Sequence, residues 1–139
     1  MVLVSFALVS CGLQEEVARV SSPDGQVEAV LIETDGGATT SFGYRILVAK
    51  KGSWFPGEEV AWLYGAFRNE QAYGVNFKWC SDTELCVEYL NARQTELKKP
   101  SIYVKGRNIE VTLHSGLADP TAPAGGMLYN LRKGRNDSH

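Results

Sequence analysis

The sequence predicts a mostly β protein: a single small antiparallel β-sandwich or meander with one or two short helical turns. About seven short runs rich in β-branched and aromatic residues recur along the chain, separated by Gly, Pro, Asp and Asn. Several runs alternate apolar and polar side chains, as a half-buried strand does. The chain has 139 residues, of which 44% are hydrophobic and 22% charged. Such a chain forms one domain that buries about two-thirds of its unfolded surface.

The predicted strands follow a common pattern of apolar runs bounded by turn residues. The first begins after Ser22-Pro23-Asp24-Gly25, where Pro presets φ and Gly accepts positive φ. The predicted strands cover residues 27–34, 44–49, 59–64, 75–79, 85–89, 102–104 and 109–113. The last four make two hairpins, because short polar reversals separate them in pairs.

Two segments between the strands are candidates for helical turns. Residues 66–73 form either one helical turn or a loop, because the pattern is short and uncapped. Residues 91–99 are polar and accommodate a short helix that Pro100 ends.

The first ten residues are uncharged and mostly apolar, and they lead directly to Cys11. They are too few to span a bilayer as a helix, which takes roughly 20 apolar residues. They match the core of a signal peptide instead. The motif Leu8-Val9-Ser10-Cys11 resembles the lipobox of bacterial lipoproteins. The resemblance implies cleavage before Cys11, diacylglycerol on its thiol and attachment to the bacterial cell envelope.

The same segment departs from a complete signal peptide in one respect. The basic residues that usually precede the apolar core are missing, since the first basic residue is Arg19. A start codon placed too late would explain this. The alternative is that residues 2–9 form a buried strand and Cys11 is a core thiol. With the lipobox interpretation, Gly12 is not the inner-membrane retention aspartate, so outer-membrane placement is expected in a Gram-negative organism, with the domain facing the periplasm or the exterior.

The expected organisation has four parts. They are a signal peptide at 1–10, a lipid-anchored tether at 11–19, a β domain at 20–117 and a flexible Pro/Gly-rich tail at 118–139. The tether is assigned because it is polar and lacks a clear period. The tail is assigned because it offers too few large apolar side chains near its start to pack.

The charge balance argues against nucleic acid as a partner. Fourteen basic and 16 acidic residues give a formal charge of −2 and are scattered along the chain. This pattern offers no electrostatic footprint for nucleic acid. We therefore expect a membrane contact through the lipid and an envelope protein or glycan as partner, but no nucleic acid.

Cys80 and Cys86 flank the reversal of the first predicted hairpin, between residues 75–79 and 85–89. A three-residue turn, Asp82 to Glu84, would place them opposite each other and allow a disulfide. A two-residue turn would pair Cys80 with Leu85 and leave two separate buried thiols. No metal site is predicted, because His114 is the only interior histidine and the ligand set is thin.

Aromatic residues are dense between residues 54 and 79. If they are exposed, they provide large rigid contact area for a glycan or protein. The alternative is that they fill the core. The candidate binding residues in this segment are Trp54, Trp62, Tyr64 and Phe67.

The loop at residues 36–41 is a second candidate binding element. Gly37, Thr39 and Thr40 contribute backbone N–H groups and hydroxyls, the ingredients of an anion-binding nest. The loop lacks the lysine of a phosphate-binding P-loop. A loop held by its own hydroxyls is the alternative.

No catalytic residue and no cofactor are predicted. His114 is the only histidine before the last residue, and no serine lies in a Gly-x-Ser-x-Gly elbow. A small hydrolase that uses the loop Thr39 to Ser41 with His114 remains an alternative from a different class.

Two stretches carry a resemblance to a known family. They are Ser22-Pro23-Asp24-Gly25 followed by Gly37-Ala38-Thr39-Thr40-Ser41-Phe42, and the later Phe77-Lys78-Trp79 with Ser81-Asp82 and Leu85. Together they resemble a family of small bacterial lipoproteins with a domain of unknown function. In many members a cysteine precedes the Gly-Ala-Thr-Thr motif, and here Gly36 or Gly37 stands there. The resemblance implies a location and no mechanism.

These observations lead to one functional expectation and two alternatives. We expect an exported, membrane-anchored, non-enzymatic lipoprotein that binds a protein or another envelope component. The first alternative is an inhibitor or immunity-type envelope protein that acts against a hydrolase. The second is the small hydrolase described above.

Overall fold

The described residues of the computed structural model form nine β-strands. The structure describes residues 13–35, 42–53, 57–65, 75–89 and 91–117. The strands are β1 Leu13–Ser21, β2 Val27–Asp35, β3 Phe42–Lys50, β4 Glu58–Tyr64, β5 Val75–Ser81, β6 Glu84–Tyr89, β7 Gln94–Leu97, β8 Ser101–Val104 and β9 Arg107–His114. No helix occurs within these ranges. The mostly β fold class predicted from the sequence is confirmed.

The strands form two sheets. The large sheet has the order β1-β2-β3-β4-β7 and is antiparallel throughout. The small sheet has the order β5-β6-β9-β8, and its β6 and β9 run parallel. The parallel pair departs from the purely antiparallel expectation. It arises because the chain leaves β6, adds β7 to the edge of the large sheet and returns through the β8–β9 hairpin.

One apolar layer fills the space between the sheets. Alternate residues of β2, β3, β5, β6 and β9 point into it, as the pleat of a β-strand requires. Burying each large apolar side chain stabilises the fold by about 1.5–3 kcal/mol. The buried members are Val27, Ala29, Leu31, Tyr44, Ile46, Val48, Val60, Ala61 and Leu63 from the large sheet, and Val75, Phe77, Leu85, Val87, Ile102, Ile109 and Val111 from the small sheet.

The two edge strands of the large sheet differ from the sequence-based expectations. Residues 13–19, expected as tether, belong to β1, whose pairing with β2 shifts between Glu16 and Ala18. That irregularity and the polar composition of β1 hide the period of two. Residues 94–97, expected in a short helix, form β7, which is largely exposed and pairs with β4. Backbone pairing rather than side-chain pattern makes β7 a strand. The segment 66–73 lies outside the described residues.

The motif Ser22-Pro23-Asp24-Gly25 joins three turns at one end of the sandwich. The Ser22 hydroxyl donates to Asp24 Oδ1 at 2.7 Å, and the Asp24 backbone N–H donates to Asp82 Oδ1 at 2.9 Å. Arg107, at the start of β9, forms an ion pair with the Asp24 carboxylate. The hydrogen bond from Ser22 and the nearby Arg107 hold the pKa of Asp24 below its ordinary value of 3.8. Asp24 therefore ties the β1–β2 turn to the small sheet.

We expect Asp24→Asn to destabilise the protein at neutral pH and to matter less in acid. The pKa of Asp24 is lowered in the folded protein. The ionised carboxylate therefore contributes its full stabilisation when the pH is well above the ordinary pKa of 3.8, and this stabilisation is lost as the pH falls through the folded pKa. Urea midpoints measured from about pH 7 to about pH 2 check this. The control Glu110→Gln removes an exposed carboxyl of β9. If the difference in urea midpoint between the wild type and Asp24→Asn stays constant over that pH range, the ionised Asp24 carboxylate does not stabilise the fold in this way.

Candidate functional site

The structure describes two of the four predicted aromatic binding residues, Trp62 and Tyr64. Both belong to β4, where Ala61 and Leu63 point into the core and are fully buried. Because side chains alternate along a strand, Trp62 and Tyr64 point to the outer face of the large sheet. Each is half-buried, and neither belongs to the core cluster. The core alternative is therefore wrong for these two residues.

Several other predicted site residues lie outside the described residues. They are the lipidation residue Cys11, the aromatic residues Trp54 and Phe67, and the loop residues Gly37, Thr39 and Thr40. Predictions on them stay predictions.

The two described aromatic rings stack on each other. Their centroids are 5.6 Å apart and their planes differ by 21°. Gly43 pairs with Tyr64 on the neighbouring strand β3. A Cβ atom at Gly43 would lie only 2.7 Å from Thr34 Oγ1 and 3.4 Å from Trp62 Nε1. The absence of a side chain at Gly43 thus leaves room for the ring of Trp62 beside Thr34.

Polar side chains flank the aromatic pair in the cross-strand register. Arg45 of β3 lies opposite Trp62 on one side, and Glu96 of β7 lies opposite it on the other. Gln94 lies opposite Tyr64 in the same way. We call these five residues, Trp62, Tyr64, Arg45, Gln94 and Glu96, the aromatic face. It combines two flat rings with donors and acceptors on both sides.

Arg45 is held in place by a network of ion pairs. Its Nε donates to Glu59 Oε1 at 2.8 Å, and one terminal nitrogen donates to Gln14 Oε1 at 2.8 Å. Lys98 donates to the other oxygen of Glu59. Partial burial raises the pKa of Glu59, but the bonds from Lys98 and Arg45 outweigh it, and the pKa ends below its ordinary value. The guanidinium beside the aromatic pair is therefore oriented before any ligand arrives.

A buried carboxyl was missed by the sequence analysis. Glu33 is fully buried, and the Tyr44 hydroxyl donates to its Oε2 at 3.2 Å. The signal was present in the sequence, because Glu33 continues the inward series of Val27, Ala29 and Leu31 in β2. Burying a carboxyl is costly unless hydrogen bonds compensate it. Since Glu33 is sealed in the core, we assign it a structural role.

Cys80 and Cys86 are joined by a disulfide. The turn between them is not the three-residue turn that the bond was expected to need, because Ser81 pairs with Glu84 across Asp82 and Thr83. Instead the pairing shifts between Trp79 and Ser81, so that Cys80 is the extra residue of a β-bulge. The bulge moves Cys80 away from its expected partner Leu85 and brings it to Cys86. The expectation that a two-residue turn separates the thiols is therefore wrong.

The residues of the hydrolase alternative are only partly described. His114 Nε2 lies 3.0 Å from Thr112 Oγ1 on the outer face of the small sheet. The loop Thr39 to Ser41 lies outside the described residues. The hydrolase alternative therefore stays untested.

Comparisons with known proteins add no family to this description. No protein-family model, curated protein or solved structure matches the chain. The resemblance to small bacterial lipoproteins therefore stays a prediction. Within the described ranges, no helix is long and apolar enough to cross a membrane.

We expect Tyr44→Phe to lower the free energy of unfolding by about 1–3 kcal/mol, because it removes a donor from a fully buried carboxyl. Urea unfolding measures the loss. The matched control is Tyr103→Phe, since Tyr103 is 74% exposed. It should change stability by less than about 0.5 kcal/mol. Equal effects of the two variants would show that the Tyr44 hydroxyl contributes nothing to Glu33.

Proposed function

We propose that this protein is a non-enzymatic lipoprotein of the bacterial cell envelope that binds an envelope component on its aromatic face. The stacked pair Trp62 and Tyr64 on the outside of the large sheet carries the proposal. The lipobox-like motif ending at Cys11 supports the location.

Position and shape make the aromatic pair the best binding candidate on the described surface. The core between the sheets is filled by other aliphatic and aromatic side chains, so packing of this core does not explain two large rings on the outer face. Trp and Tyr supply rigid contact area at small entropic cost and dominate the energetics of many interfaces. Two rings at positions i and i+2 of one strand make a continuous apolar strip.

The polar part of the aromatic face favours a ligand with many hydroxyl or amide groups. Gln94 offers an amide that both donates and accepts, Glu96 offers acceptors, and Arg45 offers donors. Rings flanked by such groups suit a glycan strand or a polar protein segment. The strands of the large sheet position all five side chains, so the surface is largely preformed.

The anchor is tested by the mass of the protein recovered from bacterial membranes. The chain is expressed behind an added basic segment, and the expected species starts at Cys11 and carries added acyl mass. A Cys11→Ser variant should remain unmodified and leave the membrane fraction. An unmodified wild-type chain that keeps Met1 would overturn the envelope location.

The binding surface is tested by comparing Trp62→Ala with Tyr103→Ala. Tyr103 is a matched control because it is an exposed aromatic residue of the small sheet, outside the aromatic face. Each purified chain is incubated with peptidoglycan sacculi and, separately, with detergent-solubilised envelope proteins. We expect Trp62→Ala to weaken retention at least about tenfold, which corresponds to about 1.4 kcal/mol.

The two arms of this experiment separate the ligand classes. Retention on sacculi alone identifies a glycan partner, and specific enrichment of one envelope protein identifies a protein partner. If that protein is a lytic hydrolase, the inhibitor interpretation is favoured. Equal retention of the two variants would exclude the aromatic face as the binding surface.

A further inference from the structure

We propose that the Cys80–Cys86 hairpin is a redox-gated site for a thiophilic divalent metal such as Zn²⁺. In the oxidised protein the two sulfurs are bonded to each other. After reduction, both thiolates and the Glu84 carboxylate bind the metal. Exchange with an external disulfide, which takes up the two electrons and leaves as thiols, re-forms the Cys80–Cys86 bond and expels the metal. This inference uses the small sheet and does not depend on the proposed binding function.

Three ligand atoms already lie together. The Sγ atoms of Cys80 and Cys86 and a carboxylate oxygen of Glu84 all lie within 4.8 Å of one another. The Glu84 Oε1 atom is 3.2 Å from Cys86 Sγ. Thiolates bind Zn²⁺ at about 2.3 Å and carboxylates at about 2.0–2.2 Å in a tetrahedral arrangement. Small side-chain rotations are enough to place one ion among these three atoms.

The β-bulge is what places Cys80 among these ligands. In regular pairing Cys80 would lie opposite Leu85, which is fully buried in the core. The shift between Trp79 and Ser81 moves Cys80 to the outer side, next to Cys86. Bulges are common next to functional sites because they redirect a side chain. Here the bulge redirects Cys80, whose thiolate is a common ligand of Zn²⁺.

His114 can complete the set from the neighbouring strand. Thr112 pairs with Cys86 in the parallel register, and its Oγ1 lies 3.7 Å from Cys86 Sγ. His114 Nε2 lies 3.0 Å from the same Oγ1. His114 is exposed, so its imidazole can turn from Thr112 toward the sulfurs. Two cysteines, one histidine and one carboxylate then fill a tetrahedral zinc shell.

An external reductant, a dithiol or a phosphine, opens the disulfide in the gating step. The reductant supplies two electrons, the disulfide bond breaks, and each sulfur takes up one proton. Zn²⁺ then displaces both thiol protons, because the thiolate is the binding form. Cys80 is exposed whereas Cys86 is buried, so the reductant attacks at Cys80 and Cys86 leaves as a thiolate beside the Thr112 hydroxyl.

The test uses the whole chain and Co²⁺ as a spectroscopic substitute for Zn²⁺. The protein is reduced with a water-soluble phosphine under anaerobic conditions, checked by circular dichroism, and titrated with Co²⁺. We expect one equivalent to produce thiolate-to-cobalt charge-transfer absorption and tetrahedral ligand-field bands, which Zn²⁺ then abolishes. The oxidised protein should give no such bands.

Variants separate this site from adventitious binding. Cys80→Ser should abolish the charge-transfer absorption, and Glu84→Gln should weaken Co²⁺ binding about tenfold or more. Glu88→Gln is the matched control, because Glu88 lies on the same strand and face but pairs with Lys78 at 3.4 Å. It should leave the affinity within about twofold of the wild type.

Three results would overturn the proposal. They are a reduced, folded chain that binds no Co²⁺, equal weakening by Glu84→Gln and Glu88→Gln, and loss of the β-sheet signal on reduction. The last result counts against the proposal because the metal site requires the hairpin to stay folded without its disulfide.

Discussion

The apolar layer between the two sheets is the constraint on which the rest of the structure depends. Strand side chains alternate, so in regular pairing a residue that points into this layer places its neighbours on the outside. Because Ala61 and Leu63 are buried in the core, Trp62 and Tyr64 are placed on the outer face of β4. The candidate binding surface is therefore a consequence of how the core is packed.

Polar contacts then orient the turns and the surface side chains whose positions follow from the packing of the core. Asp24 joins the turn at the end of β1 to turns of the small sheet, and Glu59 holds Arg45 beside the aromatic pair. Both carboxyls have lowered pKa values, Asp24 through Ser22 and Arg107, and Glu59 because its cationic partners outweigh burial. These contacts add modest stability but fix side-chain geometry, which a preformed binding surface requires.

The small sheet shows how one extra residue changes chemistry. The bulge at Cys80 moves a sulfur from the core side to the outer side, where it meets Cys86, Glu84 and the neighbours of His114. Register is normally set by the hydrophobic pattern, and a bulge is the local exception. The disulfide and the proposed metal site both depend on that exception.

The sequence by itself determined the positions of most strands, because alternation and turn chemistry are local properties written in neighbouring side chains. It also held the signal for the buried Glu33, which continues the inward series of β2. Only the tertiary structure decided that β7 is a strand, that β6 and β9 run parallel, and that a bulge joins Cys80 to Cys86. These features depend on backbone partners distant in sequence, and no local pattern of side chains specifies which edges meet.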